Sequence, residues 1–134
     1  MTEIDKVRKN LNAWMNAFNE RDIETLFTLY DPESLYANAG AAMMQGIEEI
    51  KPWYEGMFAS LEGSLLFKEE HAFQHGGLAL LVGKYCFQPP EGQAPSNNAA
   101  GRVALVYRKA EDNRWLLLFD MDNTPPDCTP TDFS

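Results

Sequence analysis

At Gly63 the rhythm of the apolar residues changes, and that change limits the folds open to this chain. Before it, apolar side chains recur at helical spacing. After it, Ser64–His75, Leu78–Gln88, Ala99–Lys109 and Arg114–Asp122 read as four long strands. Gly76-Gly77 marks a tight hairpin between the first two, and Glu111-Asp112-Asn113 joins the last two. Two strands carry nearly continuous apolar runs, LALLV (Leu78–Val82) and WLLLF (Trp115–Phe119). A strand with one wet face alternates apolar and polar residues. These two must therefore be covered on both sides. Helices from the first half can cover one side, and a second copy of the chain, making a homodimer, is expected on the other.

The first half supplies those helices. Thr2 with Asp5 three residues on resembles a capping box. Ile4, Val7, Leu11, Trp14, Met15 and Phe18 then share one helical face, and the helix is expected to end near Asn19–Arg21. Asp22 caps a short second helix with Ile23, Leu26, Phe27 and Tyr30 on its apolar face, stopped by Pro32. Leu35–Asn38 and Ala41–Gln45 read as a small hairpin bent at Gly40. Gly46 opens a third helix carrying Ile47, Ile50, Trp53, Tyr54, Met57 and Phe58. Pro52 conflicts with a helix interior and predicts a kink or a tight first turn.

The aromatic and methionine side chains exceed what such short elements need for packing. Trp14, Phe18, Trp53, Tyr54, Met57, Phe58 and Tyr85 are the expected wall of a pocket. The bland alternative is that they are simply core, the usual fate of an apolar helical stripe.

Composition narrows the partners. The 134 residues carry a formal net charge of −9, which argues against nucleic acid and anionic membranes. Cys86 and Cys128 do not make a disulfide framework, and no metal spacing joins them to the two histidines. His71 and His75, four apart on a strand, sit roughly 13 Å apart and cannot share a metal. No cofactor motif is present. No basic segment followed by an apolar stretch opens the chain, and no apolar run nears the roughly 20 residues of a membrane helix. A reducing cytoplasm is the expected setting. Residues 1–122 are expected to form one domain, followed by a frayed Pro-rich tail over 123–134, with Pro89–Asn98 as a long loop.

The order of elements resembles the nuclear transport factor 2-like superfamily, in its SnoaL-like and ketosteroid isomerase-like branch. The residues that carry this are W-x-x-A-F-x-x-R-D (Trp14–Asp22), Leu29–Pro32, G-x-x-x-I-x-x-W-Y (Gly46–Tyr54) and the strand opened by Arg114-Trp115. The resemblance implies an α+β fold: a curved, mixed or antiparallel sheet shaped as a cone and closed by three N-terminal helices over a pocket. Dimers through the convex sheet face are common in that superfamily. It also implies that Trp53 and Tyr54 line the pocket.

Ketosteroid isomerases use a helix Tyr, a protonated strand acid and a hairpin Asp base. Matched motif to motif, these fall on Trp14, on Ala104 or Leu105, and at or beside Asn38. None of these can titrate usefully. The resemblance therefore implies the fold and argues against that isomerisation.

Asp120 and Asp122 are what remains for chemistry. Counted by two, Leu116, Leu118, Asp120 and Asp122 share one face of the last strand. SnoaL-like cyclases are similar in placing a catalytic Asp on a late strand. With Asp120 against aromatic walls, its pKa is expected to rise, making it an acid or base without a cofactor. Arg102 is expected near Asp120 or a substrate carboxylate. The competing reading is a solvated strand end. The function expected is binding of a small, apolar, cyclic organic molecule, with isomerase, cyclase, dehydratase or hydrolase chemistry. The alternative is a non-catalytic ligand-binding or dimerisation module of the same fold.

Overall fold

A computed structural model describes residues 1–96 and 98–134. Three helices, α1 (Glu3–Glu20), α2 (Ile23–Phe27) and α3 (Ile47–Phe58), lie against six strands. These are β1 (Tyr30–Ala37), β2 (Met44–Gln45), β3 (Ser64–His75), β4 (Leu78–Gln88), β5 (Ala100–Lys109) and β6 (Trp115–Asn123). They form one curved sheet in the order β2-β1-β6-β5-β4-β3, and its two edge strands do not meet. β1 runs parallel to β6, and every other pairing is antiparallel. No described helix is long and apolar enough to cross a membrane.

The local signals are used as read. Thr2 and Asp5 cap each other reciprocally at the start of α1. Arg21 ends that helix in the left-handed conformation, φ 60°, and its N–H returns to Ala17 and Phe18. Asp22 caps α2 through the Thr25 amide at 3.2 Å. Pro52 lies within α3. The core forms where α1 and α3 meet the concave face of the sheet, around Val7, Leu26, Ile50, Leu81, Tyr107 and Leu117.

Two expectations change. Tyr30 does not extend α2, because Leu117 donates its N–H to Leu29 O and Tyr30 pairs with Leu117. The parallel ladder captures the chain before Asp31-Pro32. Those two residues then fall where the β1 register shifts, between Tyr30 and Leu35, a place that tolerates a proline without an N–H. Asp31 is buried there and receives two hydrogen bonds from Arg108, at 2.7 and 2.9 Å.

The tail does not fray. Arg102 binds Asp127 at 2.9 and 3.0 Å, Lys84 donates to Asp127 O, and Cys128 is buried. A 3₁₀ turn over Pro130–Phe133 follows, opened by a capping box from Thr129 to Asp132. Of the expected loop Pro89–Asn98, Asn97 lies outside the described residues.

Candidate functional site

The helices and the concave face of the sheet leave between them a cavity of about 210 Å³. α1 contributes Leu11, Trp14, Met15 and Phe18; α3 contributes Tyr54 and Met57. Tyr36 and Asn38 come from the end of β1, and Asp120 and Asp122 from β6. The remaining wall is the inward row of β3, β4 and β5. Trp14 stacks on Phe18 at 5.1 Å, and Tyr54 stands edge-on to both at 6.2 Å. Tyr36 stacks on Tyr54 at 5.6 Å.

One irregularity sets the chemistry of the floor. On β6, Leu117 pairs with Tyr107 and Phe119 with Val106, so Leu118 is an extra residue in a bulge. Leu117 and Asp120, three apart, therefore both face the cavity. Counting by two holds only beyond the bulge. Asp120 and Asp122 point inward as expected, but Leu116 and Leu118 are not part of the wall.

Asp120 is 6% exposed, and no described side chain or backbone group hydrogen-bonds its carboxylate. Burial, and then the negative charge of Asp122, push its pKa up to about 8. Its proton is therefore retained across most of the neutral range. Burial raises Asp122 as well, opposed by the Ala39 N–H, which donates to its Oδ1 at 2.9 Å. The hydroxyls of Tyr30, Tyr36, Tyr54 and Tyr107 are raised by burial first and by neighbouring charges, Asp120 among them, second. Tyr85 reaches about 12 for the same reasons, with Asp122 ahead of Asp120. The Trp14 indole N–H is already committed to Tyr30 Oη at 3.0 Å. Leu105, where the resemblance would set an acid, is the cross-strand neighbour of Asp120. The carboxyl group thus sits one strand further along.

Two expected wall residues, Trp53 and Phe58, lie elsewhere, and so does Arg102. Trp53 is 39% exposed, because α3 turns only a narrow stripe, Ile50 and Tyr54, fully inward. Trp53→Ala is expected to cost about 1–2 kcal/mol, less than truncating a fully buried ring, with a thermal melt as the check. Phe58 stands behind the wall, packing on Phe18 at 5.2 Å under the Arg21 guanidinium. Arg102 points out of the convex face, where it grips Glu70 at 2.8 and 3.1 Å as well as Asp127. Its neighbour Val103 takes the inward place, so Arg102 does not oppose the rise at Asp120.

Among the lining residues not expected from the sequence are Tyr36, Leu65, Phe67, Phe87, Val103, Leu105, Tyr107 and Leu117. A usable signal was the single glycines inside strands, which mark close approach. A Cβ on Gly83 would lie 2.5 Å from the Phe67 ring, and one on Gly101 would lie 2.5 Å from the Tyr85 hydroxyl. Both rings rest on bare backbone. A Cβ on Gly101 would also meet the Asn123 carbonyl oxygen, so Gly101→Ala is expected to push both the β6 backbone at Asn123 and the Tyr85 ring, costing about 1–3 kcal/mol by overpacking. A crystal structure of the variant checks this.

Several solved structures share this architecture. An NTF2-like protein of unknown function from Pseudomonas putida KT2440 is 20% identical, covers 92% of this chain and 87% of its own, and superposes with a TM-score of 0.78. A ketosteroid isomerase-like protein from Erwinia carotovora atroseptica SCRI1043 is 17% identical over 90% of this chain and 94% of its own, with a TM-score of 0.76. A nuclear transport factor 2 (NTF2-like) superfamily protein from Salmonella enterica serovar Typhimurium LT2 is 15% identical, over 93% and 92%, with a TM-score of 0.75. At such identities the likeness shows the fold alone. No curated protein matches the sequence. The sequence itself decides the family, since the model of the SnoaL-like domain matches residues 11–118, from the middle of α1 to the bulge at Leu118. With three helices closing a curved, mixed sheet over an aromatic cavity, this chain belongs to the SnoaL-like domain family.

Proposed function

We propose that the cavity binds a small, largely apolar, ring-containing organic molecule, and that Asp120 transfers protons to or from it without a cofactor. The observation that carries this is Asp120 itself, a buried carboxyl group without a hydrogen-bond partner among the described residues, on the floor of an aromatic cavity. A pKa near neutrality suits a group that must both take and give a proton. The volume of about 210 Å³ is below the roughly 300–1,000 Å³ of drug-sized pockets, which favours one or two rings over four.

The test is deuterium exchange into the α position of a small cyclic ketone such as 2-tetralone, followed by NMR in D₂O. The wild type is expected to accelerate exchange and Asp120→Asn to lose that acceleration. Binding without exchange would replace the catalytic reading with a non-catalytic ligand-binding module.

The same reading includes a homodimer. The convex face presents Phe73 at 56% and Met121 at 52% exposure, with Leu80, Val82, Val106 and Phe119 half-buried beside them. Monomers rarely leave such a patch open. Light scattering at micromolar concentration is expected to return a dimer mass, and Met121→Lys a monomer mass. A wild-type monomer at high concentration would remove this part of the proposal.

A further inference from the structure

We propose that the molecule this cavity takes carries a protonated amine, held between Asp120 and Asp122, with its ring against Trp14 and Tyr54. The inference rests on the cavity being a small-molecule site and adds the class of the ligand.

Charge is the first argument. Two carboxyl groups face the cavity, and no described lining residue is Lys, Arg or His. Charged groups of one sign in a low-dielectric cleft repel ligands of the same sign and concentrate the opposite one. A carboxylate or phosphate ligand would meet the charge of Asp122 with no described Lys, Arg or His in the wall to offset it. The protein's net charge of −9 acts in the same direction.

Spacing is the second. Asp120 and Asp122 are alternate residues of β6, beyond the bulge, so their Cα atoms stand roughly 7 Å apart on one face. An ammonium group has three N–H donors to share between two acids on one strand face. Asp122 accepts the Ala39 N–H on Oδ1, and Oδ2 has no other described partner. Asp120 accepts nothing from the described residues. A neutral ligand with one acceptor would use the Asp120 proton and leave Asp122 unanswered. A cation answers both.

The ring faces are the third. Tyr36 is the strand neighbour of Asp120, and Tyr85 approaches the two acids from β4. Trp14 and Tyr54 line the same cavity. A cation set among aromatic faces is drawn to them, most strongly where water is excluded. The bound cation also favours ionised Asp120, which converts the resting acid into a base at neutral pH.

The experiment uses three probes of one shape: 3-phenylpropylamine, 3-phenylpropanol and 3-phenylpropionate. Each is titrated calorimetrically at pH 7.5 into wild type, Asp120→Asn and Asp122→Asn. Methyl NMR then reads Met15 and Met57 in the cavity wall against the exposed Met1 and Met43. The amine is expected to bind the wild type about ten- to a hundredfold tighter than the alcohol, with Met15 and Met57 shifted. In both variants that preference is expected to fall to within about threefold. Alcohol or propionate binding as tightly as the amine overturns the inference while the cavity reading stands. Amine binding that moves only Met1 or Met43 is surface attraction and also overturns it. If no probe shifts Met15 or Met57 at millimolar concentration, the cavity reading falls as well.

Discussion

Asp120→Asn is expected to raise the melting temperature at pH 8 by about 20 °C and to leave it unchanged near pH 3. The folded pKa, about 8, lies well above the ordinary carboxyl value of 3.8. Below pH 3.8 both the folded and the unfolded chain hold the proton, and the group has no effect on stability. Between 3.8 and about 8 the unfolded chain releases it and the folded chain keeps it, so rising pH favours unfolding. Above pH 8 the loss is complete, on the order of 6 kcal/mol by linkage. An amide never ionises, so the variant escapes this loss. Other groups titrate in the same range, but they are common to both proteins. Glu3, held down to about 2 by Lys109 and Trp115, loses its stabilising contribution only as pH falls from 4.5. It cancels in the difference between wild type and variant. Thermal melts of both proteins from pH 3 to 9 check the curve. Superimposable curves would mean a solvated Asp120 and would end the acid–base proposal.

Tyr54→Ala is expected to cost about 3–5 kcal/mol, the range for truncating a buried aromatic ring. Tyr54 is 2% exposed and holds the cavity roof together. Its ring meets Trp14, Phe18, Phe27, Tyr36 and Phe58, each within 6.2 Å. Truncation opens a void that these neighbours cannot all collapse into, because they are anchored on four elements, α1, α2, α3 and β1. The same change enlarges the cavity, and the variant is expected to accept a bulkier ring system than the wild type. Tyr54→Phe keeps the packing and removes only the hydroxyl from the cluster around Asp120, at about 1 kcal/mol. Urea unfolding of the three proteins checks the order. A Tyr54→Ala midpoint matching the wild type would show that the ring is not part of the packed roof.

These expectations show which parts of the molecule could be read in the residues. The capping pair Thr2 and Asp5, the Asp22 cap, the Gly76-Gly77 hairpin and the four long strands are local. Each depends on neighbours within a few positions, so periodicity and turn chemistry suffice to find them. That Asp120 and Asp122 share one face was also legible, because both lie beyond the irregular part of β6 and alternate with Met121, but which face that is was not. The resemblance to SnoaL-like proteins needed only the order of these elements and a few spaced side chains.

What the tertiary structure alone decided is which side chains meet. Tyr30 belongs to a strand because β6, some ninety residues later, pairs with it. Leu118 leaves the wall because a single extra residue in a ladder turns everything before it to the other face. Trp53 and Tyr54 are adjacent in sequence, yet only Tyr54 is buried, since a helix against a sheet turns one stripe inward. Arg102 binds Glu70 and Asp127 because alternation puts it outside, and there it holds the tail that composition alone marked as frayed. Elements arise from short-range backbone preference, whereas a site depends on register between distant strands. Register is a property of paired strands, and no single segment carries it.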